Sequence, residues 1–120
     1  MRNWIKLFEN INASRFYHVT EQESSPDILQ NGFIGGWGDV GFGVYLYDNI
    51  YDAQNYAKKG GWDSALENPV IIEVQADDVE RVDNLDADWD ASLYENMWWY
   101  DMEDQQDDED ARWKPIMRIL

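Results

Sequence analysis

The sequence predicts one small α+β domain, built from short strands and short helices around a single hydrophobic core. The chain has 120 residues, a length that suffices for one core and not for two. Apolar residues make up 44% of the chain and aromatic residues 15%, which is too many for a disordered protein in spite of the charge. Patterns typical of strands and of helices follow one another without a linker. We therefore expect residues 1–120 to form a single domain.

The first part of the chain predicts two short helices and one strand. Apolar side chains recur at helical spacing over residues 3–11. Residues 15–19 are rich in aromatic and β-branched side chains, which favours a strand. The second helix is expected to have Ser25 as its N-cap and Pro26 in its first position, and to end at Gly32.

Glycine dominates the next segment, since six of the eight glycines lie between Gly32 and Gly43. This density predicts a loop that bends or lets another group approach its backbone closely. Residues 44–47 then predict a strand. The helix after it is expected to be capped by Asp48 or Asn49 and to end near residues 58–60.

The second half of the chain holds two further strand patterns. Residues 69–74 form the strongest of all, and their continuous apolar character favours a central, buried strand. Residues 114–120 predict a last strand. Between them, residues 83–111 are acidic and aromatic and predict no regular element. The run from Asp101 to Asp110 is expected to be solvated and partly disordered.

The net charge of −16 is distributed unevenly. The second half carries most of the acidic side chains, and this disfavours direct binding of nucleic acid, which depends on Lys and Arg. Such a field favours a basic protein partner, although an acidic surface also serves solubility alone. The chain predicts nothing about its oligomeric state.

Several classes of protein are disfavoured by what the sequence lacks. There is no cysteine, so disulfides and thiolate metal sites are excluded, and a single histidine makes zinc improbable. The EF-hand spacing is absent. No apolar stretch is long enough to span a bilayer, and the N-terminus lacks the apolar core of a signal peptide. We expect a soluble cytoplasmic protein without a bound metal or membrane partner.

Five short motifs occur in a characteristic order between residues 15 and 83. They are Tyr17-His18-Val19-Thr20, Ile28-Leu29-Gln30-Asn31-Gly32-Phe33, Gly41-Phe42-Gly43-Val44-Tyr45, Ala53-Gln54-Asn55-Tyr56-Ala57 and Val70-Ile71-Ile72-Glu73-Val74. This order resembles the ADP-ribosyltransferases of the His-Tyr-acid type, which include poly-ADP-ribosylating enzymes and small rifamycin-modifying enzymes. Val19 stands where that family usually has glycine.

The resemblance implies a fold and a chemistry. The fold is a bent antiparallel sheet, split into two parts, with short helices against it. The chemistry is cleavage of NAD, which serves as substrate, with transfer of ADP-ribose to a protein or a small molecule. His18 would bond a ribose hydroxyl with Thr20 as support, and Tyr45 would stack on the nicotinamide. Tyr17 and Gly43 would complete the contacts with NAD.

The resemblance also implies a carboxylate that stabilises the positive charge developing on the ribose. Asp83 lies at the offset from the core strand that the rifamycin-modifying enzymes use, and it is our first candidate. Other branches carry a Glu or Gln closer to the last strands, which leaves Glu103, Gln105 and Glu109 as alternatives. A small acidic transferase of this kind would suit a phage or mobile-element effector.

A second interpretation does not need catalysis. The acidic second half and the seven tryptophans are compatible with an inhibitor that imitates a nucleic-acid backbone, on its own fold or on a catalytically inactive transferase scaffold. Considered alone, His18 is also compatible with a packed core residue. Tyr45 and Tyr47 are expected to alternate on one strand, with one facing the core and the other facing outward, so either could serve packing only.

Overall fold

The computed structural model describes residues 14–38, 40–59, 66–82 and 97–120. Both the helix predicted over residues 3–11 and the candidate Asp83 lie outside these ranges. The described residues form seven strands and two α-helices. In chain order they are β1 (Ser14–Glu21), α1 (Ser25–Asn31), β2 (Gly36–Trp37), β3 (Phe42–Tyr47), α2 (Ile50–Lys59), β4 (Pro69–Ala76), β5 (Glu80–Arg81), β6 (Met97–Asp101) and β7 (Ile116–Ile119).

The seven strands form one antiparallel sheet, which confirms the α+β class. Its order is β5-β6-β3-β1-β4-β7, and β2 pairs with β3 beside this path. The prediction of a sheet in two parts is wrong in terms of hydrogen bonding, because all seven described strands belong to one sheet. The two halves nevertheless meet narrowly: β1 pairs with β3 only where Tyr17 lies opposite Tyr47.

The core lies against the middle strands of this sheet. β4 is flanked by β1 and β7, as its apolar pattern predicted. Ile72 and Val74 are fully buried on one face of β4, and Glu73 is nearly buried on the other. Arg118 Nε of β7 donates a hydrogen bond of 2.5 Å to Glu73, which compensates the burial of that carboxylate. The core cluster consists of Phe16, Phe33, Val44, Leu46, Ile72, Val74, Ala76, Met102 and Trp113.

Helix α1 begins at Ser25, one residue before the predicted first position at Pro26, and its N-cap is Ser24. The prediction of Ser25 as N-cap is wrong because a 3-10 turn, Gln22–Ser24, leads directly into the helix and makes the backbone helical one residue earlier. The Ser25 hydroxyl instead donates to the carbonyl of Gln22 at 2.8 Å. Gly32 ends the helix as predicted, with φ of 95°, and a Cβ there would lie 2.7 Å from the Trp113 carbonyl oxygen.

The glycine-rich segment is more regular than the predicted loop. β2 and β3 form a short hairpin in which Gly36 lies opposite Gly43 and Trp37 opposite Phe42. The rings of Trp37 and Phe42 meet edge to face at 5.3 Å, a cross-strand pair that supports the two-residue strand. Helix α2 is capped by Asn49, whose side-chain oxygen accepts the Tyr51 N–H at 2.7 Å. Of the two predicted caps, Asn49 is therefore confirmed.

The acidic run from Asp101 to Asp110 is folded, contrary to the expected partial disorder. It leaves β6, passes through the 3-10 turn Glu103–Gln105 and continues in hydrogen-bonded turns to residue 111. Buried Met102 and Trp113 anchor its two ends in the core. We call residues 101–110 the acidic turn. In the part of the chain that the structure describes, no helix has both the length and the apolar character needed to cross a membrane.

Candidate active site in the gap between β1 and β3

A gap in the sheet separates β1 from β3 next to their single pairing point. β3 bonds β6 along one edge, from residue 43 to residue 47. Its other edge pairs with β1 at Tyr47 and with β2 at Phe42 and Gly43. No described strand pairs with residues 44–46 along this second edge. The two strands diverge there, and an opening remains between them.

The His18 side chain enters this opening from β1. Its Nδ1 donates a hydrogen bond of 2.8 Å to the backbone carbonyl of Tyr45. Its ring meets Phe33 edge to face at 4.8 Å. Because a carbonyl oxygen only accepts, this bond requires the proton on Nδ1. The imidazole thus takes the place of a missing backbone contact between the strands.

The protonation state of His18 follows from its surroundings. Burial lowers the pKa of His18 below its ordinary value, and the hydrogen bond to Tyr45 opposes this effect without cancelling it. At neutral pH the ring is therefore uncharged, with its proton on Nδ1. Nε2 then carries a lone pair that can accept a hydrogen bond from a hydroxyl group.

Two clefts share His18 as a common wall. The first, of about 390 Å³, we call the aromatic cleft; the second, of about 400 Å³, we call the α1 cleft. Each lies in the size range of sites for small molecules. His18, Val19, Trp37, Gly38, Tyr45, Leu46, Tyr47, Tyr56 and Met97 line the aromatic cleft. His18, Thr20, Ser24, Asp27, Ile28, Phe33 and Ile34 line the α1 cleft.

Tyr45 lines the aromatic cleft in a fixed position. Its hydroxyl donates to the Gly41 carbonyl at 2.6 Å and accepts the N–H groups of Gly41 at 3.1 Å and Val40 at 3.3 Å. Its ring stacks on Trp99 with the centroids 5.7 Å apart. Any Cβ on Gly38 would overlap the same ring. The backbone around Gly38 and Gly41, which we call the glycine turn, therefore fixes the Tyr45 side chain, which the resemblance assigned to stacking on the nicotinamide.

Two further tyrosines of the aromatic cleft, Tyr47 and Tyr56, were not predicted as site residues. The expectation that Tyr45 and Tyr47 face opposite ways is wrong: both line this cleft, because residues two apart on a strand lie on the same face. The rings of Tyr47 and Tyr56 lie 6.0 Å apart. Burial raises the pKa of Tyr47 to about 12, with smaller contributions from Tyr56 and Asp52. Tyr56 follows fully buried Ala53 by three residues on α2, so both lie on the face turned to the sheet. This helical spacing was the signal that could have identified Tyr56.

The other predicted contacts with NAD divide into two groups. Thr20 lines the α1 cleft, next to His18 on the same strand. Tyr17 and Gly43 are not among the residues that line either cleft. Tyr17 lies at the junction opposite Tyr47, and Gly43 packs so closely on the Tyr100 carbonyl that a Cβ would overlap it. Gly43 thus serves strand packing in this structure.

Among the three candidates for the carboxylate position that lie within the described residues, Glu103 is the one that the structure relates to Tyr45. Its side-chain oxygen lies over Gly41, so close that a Cβ on that glycine would overlap it. Gly41 is also the residue whose backbone holds the Tyr45 hydroxyl. Gln105 and Glu109 follow farther along the acidic turn. In the described ranges, no three His, Asp or Glu side chains are grouped as metal ligands.

A larger depression of about 930 Å³ lies elsewhere, at the end of β1. Of the three glutamates in its lining, Glu21 is already engaged, since its carboxylate accepts the backbone N–H groups of Glu67 and Asn68 at 3.0 and 3.1 Å. Its lining lacks a histidine and an aromatic side chain. The chemically richest site in the described part of the chain is therefore the gap at His18.

Comparison of the chain with protein-family models, curated proteins and solved structures gave no match. The likeness to the ADP-ribosyltransferases thus rests on the order of the motifs.

Proposed function

We propose that this protein is a small ADP-ribosyltransferase that cleaves NAD and transfers ADP-ribose to a protein or a small molecule. The observation that carries the proposal is the position of His18. A neutral imidazole is held in a gap of the sheet, with its proton fixed by the Tyr45 carbonyl and a cleft on either side. The proposal is supported by the motif order, which assigns His18 and Tyr45 to one site, and by the hydrogen bond between the His18 ring and the Tyr45 backbone.

The aromatic cleft suits the nicotinamide end of NAD. Three tyrosines, Tyr45, Tyr47 and Tyr56, and exposed Trp37 offer flat surfaces to a planar ring. A ribose hydroxyl placed at the gap would donate its hydrogen bond to His18 Nε2, and Thr20 would support it. The bond between the ribose C1′ and the nicotinamide nitrogen breaks, and its electron pair leaves with the nicotinamide. A nucleophile of the acceptor then bonds to C1′ and loses its proton.

A carboxylate would stabilise the positive charge that develops on the ribose. Glu103 has support from its place beside the turn that clamps Tyr45. Asp83 has support from its offset after β4 in the sequence. The two candidates are separated by the NAD turnover of two variants: Glu103→Gln, which removes the charge next to Gly41, and Asp83→Asn.

The test is incubation of the protein with labelled NAD and a bacterial lysate, together with the His18→Ala variant. We expect labelled product and released nicotinamide with the wild type, and a decrease of about 100-fold or more with His18→Ala. Tyr51→Phe is the matched control, because Tyr51 lies on α2 and its side chain is 73% exposed. Equal rates for the wild type and His18→Ala, or no turnover of NAD at all, would overturn the proposal.

One observation favours a second function, that of an acidic inhibitor which imitates nucleic acid. The acidic turn is folded, and it presents seven exposed carboxylates in a defined arrangement. This function predicts salt-sensitive binding of a nucleic-acid-binding protein that does not need NAD and persists in His18→Ala. Binding that requires NAD would contradict it.

A further inference from the structure

Two large apolar side chains are exposed on the segment that forms the rim of both clefts. Ile34 is 60% exposed and lines the α1 cleft, and Trp37 is 70% exposed and lines the aromatic cleft. Trp37 is held by its edge-to-face contact with Phe42. Only two residues separate the pair along the chain. A tryptophan that is both fixed and exposed is the side chain that most often dominates a protein interface.

The acidic turn begins and ends against this same segment. At one end, a Cβ on Gly35 would lie 3.0 Å from the sulfur of Met102. At the other end, Phe33 and Trp113 exchange two backbone hydrogen bonds, of 2.7 and 3.0 Å. Ile34 therefore lies between the two anchors of the acidic turn. The segment with the two exposed apolar side chains thus contacts both anchors of the acidic turn, and we call Ile34, Trp37 and residues 101–110 together the docking surface.

The charge of this area is uncompensated within the described residues. The acidic turn carries seven carboxylates and no basic side chain. Among the described residues, Arg112 pairs with Asp27 and Arg118 pairs with Glu73, so neither of these arginines pairs with the acidic turn. The nearest arginine in sequence is thus occupied on α1. The field at the docking surface is strongly negative around an apolar centre.

We infer that the docking surface binds a basic segment of a partner protein, with an apolar side chain of that segment packed between Ile34 and Trp37. Charge complementarity selects this occupant. A second copy of the chain in a symmetric contact would bring two acidic turns together, which like charges oppose. Phosphates of nucleic acid and anionic lipids are repelled for the same reason. In a segment with lysine and arginine side chains around one apolar residue, the basic side chains pair with the acidic turn and the apolar residue packs against Ile34 and Trp37.

The location of the docking surface suggests which acceptor the transferase would modify. This suggestion rests on the proposed function, whereas the binding itself does not. The docked segment lies at the mouth of both clefts, so one of its nucleophilic side chains can reach the gap at His18. The acceptor class is then a basic protein, and recognition is separate from the chemistry.

The experiment measures binding without NAD. The probe is a short fluorescent peptide rich in Lys and Arg with one central Leu, and the readout is fluorescence anisotropy. We expect Trp37→Ala to weaken binding by about tenfold or more. Tyr51→Ala, which removes an aromatic ring of equal exposure on α2, should leave it unchanged. The combined variant Asp107→Asn, Asp108→Asn, Glu109→Gln should weaken binding and reduce its dependence on salt.

A matched probe with Ser in place of Leu tests the apolar part of the surface. The Ser probe should bind the wild type more weakly than the Leu probe does. It should bind the wild type and Trp37→Ala with equal affinity. The inference would be overturned if Trp37→Ala and Tyr51→Ala reduced the affinity for the Leu probe equally. It would also be overturned if the wild type bound the Leu and Ser probes with equal affinity. His18→Ala should bind the probe normally. Failure of the inference thus appears in the binding assay, and failure of the proposed function appears as missing nicotinamide release in the absence of any probe.

Discussion

Strand β1 is joined to its two neighbours in opposite ways. All eight of its residues pair with β4, from Ser14 opposite Ala76 to Glu21 opposite Pro69. On its other side it pairs with β3 at one position only. The first junction buries apolar side chains, and the second leaves an opening that holds an imidazole and two clefts. One strand therefore serves as framework along one edge and as candidate active site along the other.

His18 lies on the boundary between these regions. Its backbone is in register with Ile72 of β4, and Ile72 is in register with Ile119 of β7. The three residues form a row across the sheet that starts at the gap, passes through the core and ends at the edge strand. What the comparison teaches is that neighbouring positions in one row of the sheet differ in their surroundings, so the same sheet buries Ile72 in the core and places His18 at an opening.

The largest expected effect is a loss of stability in the framework half of this row. Ile72→Ala removes a fully buried side chain and should lower the free energy of unfolding by about 2–5 kcal/mol. Ile119→Ala changes the same side chain at 42% exposure and should cost less than about 1 kcal/mol. Urea unfolding measures both. Equal costs would show that the core does not extend across β4 as described.

The next largest effect is a loss of stability at the gap, and it is tested by comparing substitutions at two glycines that lie two residues apart. Gly38→Ala would place a Cβ inside the Tyr45 ring, so the ring must shift, at a cost of about 1–3 kcal/mol. Gly36→Ala meets no atom within 4 Å and should be neutral within about 1 kcal/mol. We expect thermal unfolding to separate the two variants, and NAD turnover to be lost only in Gly38→Ala. Similar behaviour of both would contradict the packing of Tyr45 against the turn.

The framework side of the comparison could largely be predicted from the sequence. β1, β4 and β7 were located because their apolar and β-branched runs are local signals. Gly32 and Asn49 were identified as helix ends because cap preferences are also local. β6 was missed: its tryptophans lie in an acidic region, and their pairing with β3 depends on residues far away in the chain. Local patterns therefore describe the framework well.

The gap could be predicted only in part. The motif order indicated His18 and Tyr45, and these two residues do meet at the gap. The single pairing point between β1 and β3 could not be predicted, because a strand pattern does not tell which edge stays unpaired. The clamp on the Tyr45 hydroxyl and the stacking on Trp99 were likewise invisible. They depend on turn geometry and on strand register, which no short motif encodes.

A smaller effect is expected from the clamp itself. Tyr45→Phe removes a hydroxyl with three hydrogen-bond partners and should destabilise the hairpin by about 1–2 kcal/mol. Amide hydrogen exchange at Val40 and Gly41 should become faster, while exchange in β4 stays unchanged. Tyr51→Phe is the control, because its side chain is exposed. If exchange rises equally in both strands, the hydroxyl stabilises the whole sheet, and the two sides of β1 are not independent.

The smallest effect is a pH dependence that sharpens the boundary at His18. Burial holds the pKa of His18 in the folded protein below the ordinary value of 6.5, so the unfolded chain binds more protons between these two pKa values. Stability is therefore complete well above the ordinary pKa and decreases over the interval in which the pH falls from the ordinary pKa to the lowered one. Over this interval, His18→Gln should lose less stability than the wild type in urea unfolding, because glutamine does not titrate. Parallel curves of stability against pH for the two proteins would mean that the imidazole is as well solvated at the gap as in the unfolded chain. The argument that Nε2 of a neutral His18 accepts a hydrogen bond would then fail.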